Sequence, residues 1–260
     1  MFEVTTLASG SEGNATVVRN ETGAILIDAG LSSKQLTARL LAAGLAPERL
    51  SGILVTHEHS DHTSALKVLL GRHQLPVFCN VLTARALQEA GVVHGNWRFF
   101  QTGSEFEVGG FCVRAFSVPH DAADPVGFRI SSNGSCFGLL TDLGYATRLV
   151  FDMLRGIRAL LIETNHDEQL LQRDPWRPWS VKQRILSRHG HLSNTAAAQV
   201  LAELDAPLEH IVLGHLSRDC NSPTLALDCA VRSLANSGCA SQARIYCAAQ
   251  DAPSPVVQIT

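Results

Sequence analysis

The chain has 260 residues, of which 45% are hydrophobic and 17% charged, and its formal net charge is −3 at pH 7. This composition predicts a soluble globular protein with one substantial core or two small ones. The charge argues against a nucleic-acid surface spread over the whole chain, and the apolar runs are too short to span a membrane.

Short runs typical of β-strands alternate with helical runs along the chain. The predicted strands are 3–9, 15–20, 24–30, 52–57, 77–79, 98–100, 105–108, 111–118, 128–132, 136–142, 159–164, 210–215 and 256–260. The predicted helices are 32–44, 64–71, 181–188, 194–204 and 223–236. Because no linker or long repeat interrupts this pattern, we expect one α/β domain over residues 1–260, with two sheets covered by outer helices.

Two local signals refine this prediction. The first predicted helix should bury a face that carries Leu36, Leu40 and Leu41. The pair Asn133-Gly134 between two predicted strands is a strong signal for a tight hairpin.

Cellular location is predicted from the first residues and the cysteines. MFEVTTLASGSEGN has neither the basic nor the apolar region of a signal peptide, which predicts a cytoplasmic protein that does not associate with a membrane. The cysteines are odd in number, scattered and never paired as CxxC, which favours free thiols in a reducing compartment. They are Cys79, Cys112, Cys136, Cys220, Cys229, Cys239 and Cys247.

The motif THEHSDH at residues 56–62 is the densest group of metal-ligating residues in the sequence. His57 and His59 leave a predicted strand two positions apart, so their side chains should point the same way. Asp61 and His62 follow where the chain turns into a helix and can face a second point nearby. Imidazole and carboxylate ligands suit zinc, with iron or manganese as alternatives. A solvated histidine-rich loop is the other interpretation.

Three further candidate ligands stand at the ends of predicted strands, where α/β folds gather their sites. They are His120, Asp142 and His215. We therefore predict two divalent metal ions, one held by His57, His59 and His120 and the other by Asp61, His62 and His215, with Asp142 bridging them. Asp28 should either fix the THEHSDH loop from behind or cap a helix that follows it.

With these motifs the chain resembles the metallo-β-lactamase fold superfamily, and within it the YycJ (WalJ)-like group. The stretches that carry the resemblance include LASGSEGNATVV, LIDAGLSSKQL, LVTHEHSDH, VPHDAADPVGF, TDLG, ETNHD, KQRILSRHGHLSN and LGHLSRDCN, between residues 7 and 221. The resemblance implies an αββα sandwich with a two-metal site at one edge. Members of the group are described as DNA exonucleases that act from the 5′ end, which implies a phosphodiester substrate, DNA more than RNA.

The tetrapeptide GHLS occurs twice, and its two histidines have different surroundings. His215 ends a predicted strand, whereas His191 lies just before a helix whose N-cap is Ser193 or Asn194. The resemblance extends to the transfer-RNA 3′-processing nucleases and implies that His191 donates a proton, supported by Glu163. A structural or surface histidine is the alternative for His191.

Contacts with the substrate are predicted from three weaker signals. The loop SGSEGN, with Ser11 and Asn14, lets backbone N–H groups approach an anion, although a tight turn explains it equally well. His166 ends another predicted strand and is a candidate contact to a substrate oxygen, or a structural histidine. The segment 173–191 has a net charge of +4 against −7 for the rest of the chain, and it contains Trp176 and Trp179.

This basic segment could follow a phosphate backbone while a tryptophan stacks on a base. It could instead be a solvated amphipathic helix whose tryptophans pack under a proline-rich loop.

The sequence as a whole predicts a dinuclear metal-dependent hydrolase, a phosphodiesterase or exonuclease acting on DNA. In this mechanism a metal-bridging hydroxide oriented by Asp61 attacks phosphorus, and His191 with Glu163 protonates the leaving oxygen. The alternatives are a metallo-hydrolase of a small carbonyl ester, either a lactone or a thioester, and a metal-stabilised binding module without activity. The oligomeric state cannot be predicted.

Overall fold

The computed structural model of the chain describes residues 1–236 and 243–260, without the side chain of residue 236. Within these residues two seven-stranded sheets form, and the strand orders are β14-β1-β2-β3-β4-β5-β6 and β13-β12-β11-β10-β9-β8-β7. In the first sheet β3, β4, β5 and β6 are parallel neighbours. In the second sheet β10, β11, β12 and β13 are parallel neighbours. Both sheets therefore present the carboxyl ends of several adjacent strands at one edge, where a site can assemble.

The bounds of the elements are as follows. The strands are β1 Phe2–Ala8, β2 Ala15–Arg19, β3 Ala24–Ile27, β4 Gly52–Leu54, β5 Pro76–Cys79, β6 Asn96–Phe99, β7 Glu105–Val108, β8 Phe111–Ser117, β9 Val126–Ser132, β10 Ser135–Leu140, β11 Ala159–Glu163, β12 His210–Gly214, β13 Arg244–Cys247 and β14 Val257–Ile259. The helices are α1 Ser33–Ala42, α2 Ser60–Thr63, α3 Leu66–Arg72, α4 Val81–Glu89, α5 Arg148–Leu154, α6 Glu168–Arg173, α7 Trp179–Ile185, α8 Asn194–Glu203 and α9 Pro223–Asn236.

Three hydrophobic clusters hold the layers together. The central cluster joins the two sheets, with Phe2 and Ile25 from the first sheet against Phe111 and Phe128 from the second. A second cluster packs α1, α3 and α4 on the outer face of the first sheet. A third packs α5, α8 and α9 on the outer face of the second sheet. The order helix, sheet, sheet, helix confirms the predicted αββα sandwich.

The predicted elements agree with the structure except at five segments. Helices α2, α4, α5 and α6 and strand β13 were not predicted. Helices α4, α5 and α6 each begin at a side-chain cap, where Asn80, Thr147 and Asp167 accept a backbone N–H of the first turn. The hairpin predicted at Asn133-Gly134 is present, and both residues have the positive φ that it requires.

One predicted core residue is wrong, and one prediction lies outside the described residues. Leu36 and Leu40 are buried, but Leu41 is 57% exposed because it falls on the solvent side of α1. Six cysteines are free, as predicted, whereas Cys239 lies outside the described residues. Burial raises the pKa of the Cys79 thiol to about 12, so this cysteine is a core residue with little thiolate at neutral pH.

No helix of the described residues has the length and the apolar character that a membrane span needs.

Candidate metal centre

The candidate site lies beyond the carboxyl ends of the strands, and three of its residues have an uncommon backbone conformation. Asp28 follows β3, Asp142 follows β10 and His215 follows β12, with φ angles of 59°, 57° and 54°. Aspartate and histidine adopt this left-handed region more readily than most residues, yet such positions are rare outside turns and functional sites. The three strand ends therefore turn sharply at the same edge of the sandwich.

The first cluster consists of three histidines. His57 and His59 come from the loop after β4, and His120 comes from the loop after β8. One ring nitrogen of each lies within 4.8 Å of the others, and His59 Nδ1 is 3.3 Å from His120 Nε2. This is the trio that the sequence predicted for one metal ion.

The second cluster combines Asp61, His62, Asp142 and His215, again with ligand atoms within 4.8 Å of one another. Asp142 Oδ2 is 3.0 Å from His62 Nε2 and 3.1 Å from His215 Nδ1. Its other oxygen, Oδ1, is 3.7 Å from Nε2 of His120 in the first cluster. The side chain of Asp142 thus lies between the two clusters, as a bridging ligand must.

Hydrogen bonds behind the histidines turn one nitrogen of each ring toward the centre. His62 Nδ1 is 2.8 Å from Asp28 Oδ2, and the Thr56 hydroxyl donates to the same oxygen at 2.9 Å. His57 Nδ1 lies 3.0 Å from that hydroxyl, and His120 Nδ1 lies 3.1 Å from the carbonyl oxygen of Gly190. With Nδ1–H donating in each case, Nε2 keeps its lone pair for a metal ion.

The same contacts decide between the two interpretations of Asp28. Its carboxylate accepts hydrogen bonds from the backbone N–H of Thr56, from the Thr56 hydroxyl and from the His62 ring. The helix that follows, α1, is capped by Ser32 instead. Asp28 therefore fixes the THEHSDH loop and caps no helix.

The charges of the cluster are balanced by protons on its histidines. Burial disfavours the charged form of His62, but Asp142 and Asp28 raise its pKa well above the usual value. Burial also opposes the charge of His215, whose pKa is raised well above the usual value by Asp142. At His57, burial and the neighbouring His62 lower the pKa well below the usual value. A bound cation would replace these protons, so metal binding here releases protons.

A buried acid and a half-buried histidine stand beside the second cluster. Glu163 ends β11 and is fully buried, and its Oε1 is 2.7 Å from His191 Nδ1. Its Oε2 accepts the backbone N–H groups of Leu143 and Leu192 at 3.1 and 3.2 Å. Burial alone would raise the pKa of Glu163, but the charge of His191 outweighs it and the pKa falls to about 2. Burial lowers the pKa of His191, and Glu163 reverses this so that the pKa is raised.

The pairing of Glu163 with His191 is the one that the sequence predicted, and His191 precedes α8 with Ser193 as the N-cap. Sequence reasoning missed Thr56 and the Gly190 carbonyl, which hold ligands from behind. Thr56 stands next to the motif, so its position was a usable signal. No sequence pattern marks a backbone carbonyl such as that of Gly190.

Comparison with known proteins places this site in a family. The sequence profile of the Beta-lactamase superfamily domain matches residues 24–216, which include all seven predicted ligands. The chain belongs to the metallo-β-lactamase superfamily. The solved structure of the metallo-β-lactamase fold protein YhfI from Bacillus subtilis superposes with a TM-score of 0.75 at 15% identity, over 99% of this chain and 100% of that one. At that identity the likeness concerns the fold alone.

Two relatives in the superfamily cover most of both chains. Exodeoxyribonuclease YycJ of Bacillus anthracis is 40% identical over 223 residues, which are 85% of this chain and 84% of the relative. Exodeoxyribonuclease WalJ of Streptococcus pneumoniae is 34% identical over 265 aligned positions, which are 99% of this chain and 98% of the relative. The likeness thus extends beyond the metal motif to the whole sandwich.

The three predicted substrate contacts occupy different places around this superfamily site. Ser11 is exposed and lines a cavity of about 220 Å³ that also involves the loop after His215. Asn14 is buried, and its amide bonds within the chain to Ser9, Gly10 and the Asp61 carbonyl. His166 is 1% exposed, and neither ring nitrogen has a hydrogen-bond partner among the described residues. Contact of each with substrate stays a prediction.

Gly30 is required by the close approach of three backbone segments at the metal loop. The backbone of two other segments leaves no room for a side chain, because a Cβ on Gly30 would lie 1.6 Å from the Asp61 carbonyl oxygen and 2.6 Å from the Asn14 nitrogen. That same Asp61 oxygen accepts the Asn14 N–H at 2.7 Å. The backbone of the candidate ligand Asp61 is therefore held against the residue before β2 and the loop after β3.

We expect Gly30→Ala to lower the free energy of unfolding by at least about 2 kcal/mol, because the backbone of Asp61 must move to admit the methyl group. It should also weaken metal binding. Thermal denaturation with and without metal measures both effects. Gly71→Ala is the matched control, since nothing lies within 4 Å of a Cβ in that helix position. Equal stability of the two variants would contradict the prediction.

Proposed function

We propose that this metallo-β-lactamase superfamily chain is a dinuclear metal-dependent phosphodiesterase that removes nucleotides from DNA. The observation that carries the proposal is the convergence of seven metal-ligating side chains in two clusters that meet at Asp142. The chain covers 84% of one relative and 98% of the other, and both are named exodeoxyribonucleases. These names support a DNA substrate over RNA.

The donor set fits two divalent cations. His57 Nε2 is buried and has no hydrogen-bond partner among the described residues, although its Nδ1 is tied to Thr56. In the proposed assignment His57, His59 and His120 hold one ion, Asp61, His62 and His215 hold the other, and Asp142 contacts both. Imidazole and carboxylate suit zinc, with manganese or iron as alternatives. Bound there, two cations supply Lewis-acid stabilisation of charge on the phosphate oxygens and lower the pKa of water.

The remaining groups of the site have roles that their positions support. In the proposal the Asp61 carboxylate also orients the attacking water, since it is the least buried of the second cluster. The His191 ring donates a proton to the departing oxygen. Glu163 keeps that ring oriented through the 2.7 Å contact with Nδ1, which leaves Nε2 to face the substrate.

Substrate contacts, domain extent and location complete the proposal. Ser11 is proposed to contact the substrate from its cavity, and Asn14 and His166 are the further candidates. We propose one hydrolase domain over residues 1–260. A cytoplasmic location is proposed from the free thiols of the six described cysteines.

The test is the digestion of end-labelled single- and double-stranded DNA and RNA by the metal-loaded protein, alongside bis-p-nitrophenyl phosphate, a thioester and a lactone. We expect release of nucleotides from DNA ends and hydrolysis of the small diester. Elemental analysis should give two ions per chain. Hydrolysis of the thioester or lactone without cleavage of either phosphodiester contradicts the proposal and favours a carbonyl-ester hydrolase. Less than one tightly bound ion per chain favours a binding module.

A further inference from the structure

The segment 173–191 exposes two large aromatic side chains on a rigid support. Trp176 is 88% exposed and Trp179 is 62% exposed. The third tryptophan, Trp97, packs against the outer hydrophobic cluster of the first sheet. The alternative in which both tryptophans of the segment pack under a proline-rich loop is therefore wrong. Exposed tryptophan is uncommon on a protein surface, and adjacent exposed aromatic groups mark binding surfaces.

A polar network around two buried residues, Asp174 and Lys182, orders the backbone that carries the tryptophans. Asp174 accepts the backbone N–H of Trp176 at 2.8 Å and the guanidinium of Arg177, which also contacts Asp219 at 2.8 Å. The ammonium group of the buried Lys182 donates to the carbonyl oxygens of Gln172 and Asp174. Trp176 and Trp179 each sit beside a proline in the run DPWRPW, which further limits the backbone. The rings are thus presented by a chain that is already ordered.

The same network changes the interpretation of the positive charge. Arg177 and Lys182 are engaged inside the segment, and Arg184 pairs with Asp121. Two exposed arginines of the segment, Arg173 and Arg188, have no carboxylate partner among the described residues, and Arg188 lies 4.5 Å from the ring centre of Tyr145. Arg173, three residues before Trp176, is thus a cationic group free to meet phosphate near the tryptophans, whereas Arg188 lies at the other end of the segment on the Tyr145 ring.

The segment is joined to the candidate metal centre at its other end. Arg184 contacts Asp121, the residue after His120, and the Gly190 carbonyl accepts from the His120 ring. Trp179 begins α7 five residues before Arg184, which corresponds to roughly 7.5 Å along a helix axis. A strand whose end reaches the metal centre would pass along α7 toward the tryptophans.

We infer that Trp176 and Trp179, with Arg173 three residues before the first of them in the chain, form a stacking platform for the single-stranded part of a DNA substrate. This inference rests on the proposed function and adds how the strand is held outside the reacting centre. Indole rings stack on any base, and arginines beside them bind the backbone without reading sequence. The platform therefore selects single strands and tolerates any sequence.

The test is fluorescence anisotropy with the metal-loaded protein and a fluorescein-labelled phosphorothioate oligo(dT), whose backbone resists hydrolysis. We expect Trp176→Ala and Trp179→Ala each to raise Kd about fivefold or more, and the double variant to raise it further. Trp179→Phe should recover most of the affinity because it keeps an aromatic face. Arg173→Ala should reduce the slope of log Kd against log salt by about 0.7. Phe99→Ala is the matched control, since Phe99 is an exposed aromatic residue on β6 of the other sheet.

The inference is overturned if the double variant binds oligo(dT) within twofold of the wild type, or if Phe99→Ala weakens binding as much. A second outcome also overturns it: the wild-type chain is a dimer, the double variant is a monomer, and both bind DNA equally well. The tryptophan surface then binds a second copy of the chain. Failure of the proposed function is a separate result: the wild-type, metal-loaded protein then leaves the small diester intact whatever the binding assay shows.

Discussion

Asp142→Asn is expected to lower the rate of DNA hydrolysis roughly 10²- to 10³-fold and to reduce the metal content below two ions per chain. The carboxylate of Asp142 lies within 3.0 to 3.7 Å of ring nitrogens from both clusters. An asparagine amide offers one oxygen without a full negative charge. It therefore cannot bind two cations as a carboxylate can. Steady-state kinetics and elemental analysis of the purified variant measure the two effects.

The asparagine variant separates ligation from folding. Asparagine, like aspartate, tolerates the left-handed φ of 57° at this position, so the strand end need not change. Asp152→Asn is the control, because Asp152 is a half-exposed carboxylate on α5 that pairs only with Arg155 in the described contacts. A variant at 142 with two ions and wild-type turnover would falsify the assignment of the bridging ligand.

His191→Ala should reduce kcat on DNA by about 10²- to 10⁴-fold while both metal ions remain bound. The ring is proposed to donate the proton that the departing sugar oxygen needs. Glu163→Gln should produce a smaller loss in the same direction, since an amide can still contact Nδ1 but does not favour the charged ring.

The substrate decides whether the loss reflects proton donation. A diester with a p-nitrophenolate leaving group needs little help from an acid, so His191→Ala should affect it far less than it affects DNA. Equal losses on both substrates, or loss of a metal ion from the variant, would instead identify His191 as a ligand or a structural group. A role as a ligand would have a geometric basis, because His191 stands in a cluster with Asp142, Glu163 and His215.

The clustering of the candidate metal ligands could be predicted from the sequence because their positions depend on one rule. Ligands at the carboxyl ends of neighbouring strands must meet at one edge of the sandwich, so His120, Asp142 and His215 could be assigned before their neighbours in space were known. The rule does not say which atoms lie behind the ligands. Asp28 could have contacted either Thr56 or a helix terminus. The sequence could not decide between them, because Asp28 and Thr56 are distant in the chain.

Features that depend on local packing were predicted less well. Leu41 fits the apolar pattern of α1 but faces solvent, since Leu36 and Leu40 already fill the contact with the sheet. The positive charge of residues 173–191 is visible in the sequence, but the sequence does not show that Arg177 and Arg184 are paired with Asp174, Asp219 and Asp121. The tryptophans are exposed because this network fixes the backbone around them. No periodic pattern in the sequence predicts that exposure.

The left-handed turns at Asp28, Asp142 and His215 have a consequence for protein engineering. A non-glycine residue in this region costs on the order of 1 kcal/mol, and β-branched residues cost more. Copying the seven candidate ligands into an unrelated scaffold would therefore not be enough to recreate the centre. The strands of that scaffold would also have to end in residues with the same left-handed φ. Grafting should transfer the β3, β10 and β12 exits as intact backbone fragments, because two of these turns place the candidate ligands Asp142 and His215, and the third places the carboxylate of Asp28 that holds the THEHSDH loop.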